Sequence, residues 1–164
     1  MSVVIYTDGA CHPNPGPGGW AAILLWNEQE HVITGDELET TNNRMEIMGV
    51  LRGLQELKVP CDVEVRSDSK YVIQSVGHWI GGHPDLTASG WMQGWRVRNW
   101  RTSQNKEVKN IDLWEKMIEA CAFHLSVKMT HVKGHAGNHY NERCDELAVS
   151  RKLALRQRLQ EASE

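Results

Sequence analysis

The sequence of 164 residues lacks any apolar run that approaches the roughly 20 residues a membrane-spanning helix needs. Its first seven residues also lack the basic and apolar regions of a signal peptide, so we expect a cytoplasmic protein with no membrane partner. The hydrophobic (40%) and charged (24%) fractions are near globular averages, which excludes extended disorder and fibrous repeats. A chain of this length builds one well-buried core, and we therefore expect a single domain.

Cysteine is also scarce, and its spacing excludes common cysteine-based frameworks. The four cysteines lie far apart without a CxxC pair, which predicts buried free thiols rather than a disulfide framework or a zinc ribbon. His131, His135 and His139 have the spacing of one helix face, which leaves a zinc site as an alternative. Gly134 and Gly137 interrupt this segment and disfavour that alternative.

Positive charge is outnumbered overall but concentrated in one segment. Lysine and arginine number 18 against 21 acidic residues, and a net charge of −3 argues against a nonspecific polycation. Residues 95–110 nevertheless carry +4, which leaves −7 for the rest of the chain. The charged residues of this basic stretch are Arg96, Arg98, Arg101, Lys106 and Lys109 against Glu107 alone. This asymmetry is the first indication of function.

The sequence pattern predicts a mixed α/β domain. Apolar and β-branched runs predict strands at 3–6, 20–26, 31–34, 62–66 and 125–132, with Thr7-Asp8-Gly9 as a turn. Capping residues and helical spacing predict four helices, which begin near residues 42, 70, 111 and 141. Glycine and proline at 81–90 predict a flexible excursion. The order β-β-β-α-β-α-α-β-α implies one mixed sheet with helices on its faces, because parallel strands require crossover helices.

Four acidic residues are candidates for a common site. Asp8 and Asp68 follow predicted strands, Glu46 lies near a helix start, and Asp145 lies on the last helix. Each also has an ordinary explanation. Asp8 suits a turn and Asp68 a helix N-cap, while Glu46 suits the helix dipole and Asp145 a solvated surface. Taken together they would repel one another unless cations lie between them, and carboxylate oxygens favour Mg²⁺ or Mn²⁺. Two such ions serve phosphoryl chemistry, although spacing alone leaves open whether the carboxylates converge.

Six segments resemble bacterial type 1 ribonuclease H, in order, between residues 3 and 148. They are TDG at 7–9, NPGPGG at 14–19, TNNRME at 41–46, SDS at 67–69, VKGHAG at 132–137 and NERCDELA at 141–148. The resemblance implies a ribonuclease H-like α/β fold, with a five-stranded mixed sheet flanked by helices and a basic protrusion at about 79–110. We therefore predict a ribonuclease H domain at 1–148, with 149–164 as a C-terminal helical extension of the same domain, in a monomer.

The resemblance further implies an endonuclease that hydrolyses the RNA strand of RNA/DNA hybrids and leaves 5′-phosphate and 3′-hydroxyl ends. Asp8, Glu46, Asp68 and Asp145 would be catalytic and would bind two Mg²⁺ ions, with Mn²⁺ as a possible substitute. His135 would assist proton transfer or product departure, because an imidazole between two glycines can move and titrates near neutral pH.

The same resemblance implies a set of substrate contacts. Amides at four positions would reach 2′-hydroxyls in the minor groove, and these are Asn14, Asn42, Asn43 and Gln74. Thr41 and Asn110 would bind DNA phosphates. In the protrusion, Arg96 and Arg98 would lie near phosphates, while tryptophans would pack on sugars or bases or form a small local core. Those tryptophans are Trp79, Trp91, Trp95 and Trp100.

Three features depart from the family pattern. Roughly a dozen residues around 83–94 are inserted between Trp79 and Trp95 and lengthen the loop into the protrusion. Glu39 replaces a frequent arginine, and Lys70 replaces a frequent glutamine. Two other functions remain open, namely a noncatalytic hybrid-binding module and a DNA-cleaving transposase or integrase relative. The four carboxylates disfavour the first, and the Thr-Asn-Asn and Gly-His-Ala-Gly motifs disfavour the second.

Overall fold

A computed structural model describes residues 1–163 and contains one mixed sheet with helices on both faces. The strands are β1 (Ser2–Cys11), β2 (Gly16–Trp26), β3 (Gln29–Thr40), β4 (Asp62–Ser67), β5 (Gly77–Ile80), β6 (His83–Ser89) and β7 (Ser126–His131). The helices are α1 (Asn42–Glu56), α2 (Lys70–Val76), α3 (Trp91–Val97), α4 (Ile111–Phe123) and α5 (His139–Ala162). The strand order across the sheet is β3-β2-β1-β4-β7-β5-β6.

The central strands of this sheet are parallel, which defines the edge where a site forms. Strands β1, β2 and β3 make an antiparallel meander, whereas β4 pairs in parallel with both β1 and β7. The carboxyl ends of β1, β4 and β7 therefore lie at one edge of the sheet, which we call the carboxyl edge. In open mixed sheets, ligands bind at this edge.

The sheet has seven strands, so the prediction of five was wrong in number although the α/β class is confirmed. The additional strands β5 and β6 form a hairpin over the segment that was predicted as a flexible excursion. Gly81 and Gly82 turn this hairpin with φ of 60° and 82°, values that favour glycine. At its base a Cβ on Gly77 would lie 2.2 Å from the backbone nitrogen of Gly90, so the two backbones touch.

Strand β1 extends beyond its predicted end, and residues 7–9 continue the strand instead of forming a turn. Asp8 pairs with Ala21 of β2, because the antiparallel ladder continues to Cys11. The parallel ladder with β4 stops earlier, at Tyr6. Asp8 therefore lies just past the parallel pairing, at the carboxyl edge, although it belongs to a strand.

The core has a larger part and a smaller part on the two faces of the sheet. The larger part packs α1 and α4 against the sheet, with Trp114, Leu54 and Met117 fully buried. The smaller part lies under α5 and includes Tyr6 and Ile23. All four cysteines are buried and free, as predicted. Among residues 1–163, no helix has the length and apolar character required to cross a membrane.

Candidate active site

Three of the four predicted carboxylates converge at the carboxyl edge. Asp8 from β1, Glu46 from α1 and Asp68 from the β4–α2 connection each offer an oxygen, and these oxygens lie within 4.8 Å of one another. Thr41 positions α1 by accepting a hydrogen bond from the Arg44 backbone nitrogen at 3.1 Å, and Ser69 caps α2 in the same way. Asp68 is therefore free of the capping role that its sequence position also allowed.

Close packing of β1 against α1 brings Asp8 and Glu46 together. A Cβ on Gly9 would lie 2.4 Å from the Met45 carbonyl carbon and 2.5 Å from the Glu46 backbone nitrogen. Only a residue without a side chain permits this approach. A Cβ on Gly134 would lie 2.8 Å from Asp68 Oδ2, but this atom is the end of a side chain that can shift, so the constraint there is weaker. Gly9 thus sets the spacing between Asp8 and Glu46.

The three carboxyl groups have raised pKa values. Burial, together with the negative charges of Asp68 and Asp145, raises the pKa of Asp8 to about 7. Burial and then the charge of Asp8 raise the pKa of Glu46 well above its usual range. Burial and the charge of Asp145 also raise the pKa of Asp68, and His135 acts in the opposite direction. The site thus concentrates negative charge that the described protein groups do not neutralise.

The donor set fits a hard divalent cation. The buried Oε2 atom of Glu46 has no hydrogen-bond partner within residues 1–163. An unpaired buried carboxylate oxygen is destabilising unless a ligand such as a cation binds it. All three donors are carboxylate oxygens, and such sets prefer Mg²⁺ or Mn²⁺ to softer metals. The residues therefore match the requirements of a metal centre for phosphoryl chemistry.

Asp145 and His135 lie beside this cluster rather than in it. Asp145 on α5 is close enough for its charge to raise the pKa values of Asp8 and Asp68, but it is outside the 4.8 Å group. His135 is exposed in the β7–α5 loop with φ of 56°. The alternative zinc set does not share a helix face, because His131 ends β7 and His139 begins α5.

The predicted minor-groove amides form one group next to the cluster, with a single member apart. The Asn42 backbone nitrogen donates to Asn14 Oδ1 at 3.3 Å, and Asn42 Oδ1 accepts from the Cys11 backbone nitrogen at 2.7 Å. Asn43 is exposed in the first turn of α1 beside Thr41. Gln74 is separate, since it lies on α2 and lines a 320 Å³ cavity with Trp91.

The tryptophans of the basic stretch divide between core and surface. Trp79 is 2% exposed and Trp95 is 7% exposed, so both side chains belong to the core. This burial favours the alternative of a small local core, and contact of either ring with substrate stays a prediction. Trp100 packs against the same core, whereas Trp91 is 50% exposed. Arg96 and Arg98 are exposed on this surface.

Sequence reasoning did not identify the role of Arg44, which ties three elements together behind the site. Its guanidinium donates to both oxygens of Asp112, at 3.1 and 2.8 Å, and to Glu37 at 3.1 Å. It also donates to Asn110 Oδ1 at 3.2 Å. The side-chain oxygen of Asn110, a predicted phosphate ligand, therefore already accepts a hydrogen bond within the protein. Arg44 lies within the TNNRME motif, but Asn110 and Asp112 are more than 60 residues away in sequence, so no local pattern indicated this network.

A mixed sheet with clustered carboxylates at its carboxyl edge is the arrangement expected of a metal-dependent enzyme of phosphoryl chemistry. The family model described as RNase H matches residues 1–152, and the chain belongs to the RNase H family. A ribonuclease H from Caldicellulosiruptor saccharolyticus is 47% identical over 149 residues, which cover 90% of this chain and 94% of that protein. A ribonuclease H from Bradyrhizobium diazoefficiens is 45% identical and covers 97% of this chain and 96% of its own length.

Solved structures show the same fold. LC9-RNase H1 superposes with a TM-score of 0.77 at 24% identity and covers 94% of this chain and 73% of its own. LC11-RNase H1, which was crystallised with an RNA/DNA hybrid, has a TM-score of 0.65 at 24% identity. That match covers 92% of this chain and 96% of LC11-RNase H1.

Proposed function

We propose that this RNase H is an endonuclease that hydrolyses the RNA strand of RNA/DNA hybrids and leaves 5′-phosphate and 3′-hydroxyl ends. The convergence of Asp8, Glu46 and Asp68 within 4.8 Å is the observation that carries the proposal. The sequence relatives named above are ribonucleases H, and LC11-RNase H1 was crystallised with an RNA/DNA hybrid. We also propose that the chain acts as a monomer in the cytoplasm.

The carboxylates would hold the metal ions, and we propose Mg²⁺, with Mn²⁺ as a substitute. Asp8, Glu46 and Asp68 form the immediate donor set, and Asp145 adds negative charge from the adjacent helix. When bound, two such ions neutralise phosphate charge and support an in-line displacement by water. Each carboxylate must lose its proton before it serves as a ligand, so the raised pKa values make metal binding dependent on pH.

His135 is proposed to carry a proton at the reaction centre or to help the product leave. Its ring lies on an exposed loop next to Gly134, which packs against Asp68. An imidazole exchanges protons readily at neutral pH, which suits it to proton transfer at a phosphate.

Substrate discrimination is proposed to depend on the amide group and on the basic stretch. Asn14, Asn42 and Asn43 lie beside the carboxylates, where donors can reach a 2′-hydroxyl. Thr41, Gln74 and Asn110 remain proposed contacts, although Thr41 also caps α1 and Asn110 also accepts from Arg44. On the protrusion, the exposed Arg96 and Arg98 suit phosphates, and the exposed Trp91 suits packing on sugars. Trp100 is partly exposed and is a further proposed contact.

The proposal is tested by incubating the protein with end-labelled RNA/DNA hybrid, duplex DNA and duplex RNA, with Mg²⁺ or with chelator. We expect metal-dependent cutting of the hybrid's RNA strand alone. The Asp8→Asn variant should lose about 100-fold or more of this activity, because a ligand that stabilises transition-state charge is weakened.

The control for this assay is hybrid binding by the same Asp8→Asn variant, which we expect to remain measurable because the amide group and basic stretch are unchanged. Equal cutting of duplex DNA by the unmodified protein would contradict the proposed substrate. Near-normal activity of Asp8→Asn would contradict the assignment of the carboxylates.

A further inference from the structure

The C-terminal half of α5 continues past the carboxyl edge of the sheet. The Cys144 thiol donates to the Tyr6 carbonyl at 3.2 Å, near the middle of β1. Two turns later, a Cβ on Gly19 would lie 2.8 Å from the Lys152 backbone nitrogen, and Gly19 pairs with Ala10 of β1. Helix α5 therefore runs in the same direction as β1, toward the carboxyl edge.

The remainder of α5 projects beyond the end of β1. Strand β1 ends at Cys11, one residue after the position that Lys152 faces, whereas α5 continues to Ala162. Ten further helical residues span about 15 Å. This segment, residues 152–162, therefore reaches outward at the same edge as the three carboxylates.

The projecting segment is fixed to the sheet and holds a defined orientation. Arg151 donates a hydrogen bond from Nε to the Asp36 carboxylate of β3 at 2.8 Å, and its Nη2 atom is also 2.8 Å from that carboxylate. Arg158 donates to the same carboxylate at 3.3 Å. Leu155 between them is only 5% exposed. One side of the helix is thus anchored, and the two arginines on that side have their charge balanced in part by Asp36.

A second side of the helix carries two cationic side chains that do not form ion pairs with the sheet. Lys152 and Arg156 are four residues apart and share a face. Within residues 1–163, neither forms an ion pair at 4.0 Å or less, unlike Arg151 and Arg158. We call this pair the α5 cationic stripe.

The Lys152 end of the stripe borders the loop that carries Asn14. Lys152 lies close enough to Cys11 for its charge to lower the pKa of that thiol, against the larger effect of burial. The Cys11 thiol in turn donates to the carbonyls of Pro13 and Gly16, at 3.2 and 3.4 Å. The stripe and the amide group of Asn14 and Asn42 are therefore neighbours.

We infer that Lys152 and Arg156 form a second phosphate-binding surface, which contacts the nucleic-acid backbone on the side of the carboxylates away from the basic stretch. Cations on an anchored helix that form no ion pair within the protein can neutralise the phosphates of a bound duplex and release counterions. This inference rests on the proposed function, since it assigns a further contact to the same substrate. It gives the extension beyond Ala148 a role in affinity and none in the chemical step.

The test compares the unmodified protein with a Lys152→Gln/Arg156→Gln double variant. Binding to a fluorescent hybrid of about 20 base pairs is measured by anisotropy in chelator over a salt titration, and cleavage is measured with Mg²⁺. We expect binding about tenfold weaker, a salt slope smaller by about 1.5 to 2, and a raised KM with unchanged kcat. A Lys58→Gln/Lys116→Gln variant removes the same charge from a distant groove between α1 and α4 and should change none of these values.

The outcomes separate the two proposals. If the unmodified protein binds and cuts the hybrid, but the stripe variant keeps the same affinity and salt slope, the stripe inference is wrong and the proposed function stands. If both double variants weaken binding equally, the effect is one of net charge and the inference is also wrong. Failure of the unmodified protein to bind or cut the hybrid would overturn the proposed function itself. Arg151 and Arg158 are retained in every variant, and an unchanged Tm confirms that α5 stays folded.

Discussion

At the residue scale, the concentration of carboxylates at the carboxyl edge is the main feature that lowers the stability of the folded protein. Asp8 is buried in β1, and both Glu46 and Asp68 face it. Burial favours the neutral form of each group, and neighbouring negative charge has the same effect. Function therefore opposes stability here, as is common at sites that must bind a ligand.

This conflict predicts how the stability of the metal-free protein depends on pH. The pKa of Asp8 is about 7 in the folded state, against 3.8 for an ordinary aspartate, so the folded protein keeps a proton that the unfolded chain releases. The contribution of Asp8 to the free energy of unfolding should therefore fall as pH rises from about 4 to about 7, by an amount on the order of 4 kcal/mol.

Thermal unfolding in chelator between pH 4 and 8 measures this effect. The Asp8→Asn variant is the matched control, because it lacks the titrating group and should show a flatter profile and a higher Tm at pH 8. Mg²⁺ should restore the Tm of the unmodified protein at pH 8 by binding the folded state. Identical pH profiles for the two proteins in chelator would show that Asp8 is not the group responsible.

At the element scale, the packing of β1 against α1 fixes the site. The contact depends on Gly9, whose backbone touches that of Met45 and Glu46. Thr41 starts α1 at the correct position, and Arg44 then ties the first turn of the helix to Asp112 of α4 and Glu37 of β3. Glu46 is consequently held by backbone contacts and by an ion-pair network rather than by its own side chain.

A methyl group at position 9 should separate these two elements. In Gly9→Ala the new Cβ would meet backbone atoms at 2.4 and 2.5 Å, which cannot move independently of α1. We expect the protein to be destabilised by about 2–4 kcal/mol and turnover to fall by about 100-fold, since a 1 Å displacement of a catalytic group has an effect of this size.

Gly49→Ala on the same helix is the comparison, because its Cβ would lie 3.2 Å from its nearest neighbours and should perturb the protein less. Tm, Mg²⁺ affinity and cleavage rate are measured for both variants. A Gly9→Ala protein with ordinary Mg²⁺ affinity and activity would show that the β1–α1 spacing does not determine the site.

Local sequence signals located most elements but not their limits. Capping residues identified the starts of α1 and α2, where Thr41 and Ser69 accept the expected hydrogen bonds. The β5–β6 hairpin was missed because glycine and proline around its turn are typical of loops. Its stability comes from pairing with β7 and from burial of Trp79, both of which are contacts between segments far apart in the sequence.

At the scale of the whole molecule, charge is arranged in regions of opposite sign. The net charge of −3 combines an acidic carboxyl edge with the basic stretch at 95–110. Arg96 and Arg98 are exposed in that stretch, so they are available for phosphates in a way that the buried Trp79 and Trp95 are not. Distribution rather than total charge therefore suits the protein to a polyanion.

Removal of charge from the basic stretch should affect binding and leave chemistry intact. For Arg96→Gln/Arg98→Gln we expect KM for the hybrid to rise about tenfold, kcat to change less than about twofold, and the salt slope of binding to fall by up to about 2. Steady-state cleavage and anisotropy titrations give these values, with Lys58→Gln/Lys116→Gln again as the control. A fall in kcat at constant KM would instead place these arginines in the chemical step.

The sequence by itself determined the family and the α/β class, and it predicted the carboxylates of the site, because short motifs and hydrophobic periodicity are local properties. Tertiary structure decided which groups meet. Asp8, Glu46 and Asp68 are separated by dozens of residues, and only the parallel pairing of β1 with β4 and the close approach at Gly9 bring their oxygens within 4.8 Å. Burial of Trp79 and the direction of α5 likewise depend on packing between distant segments, which no local pattern encodes.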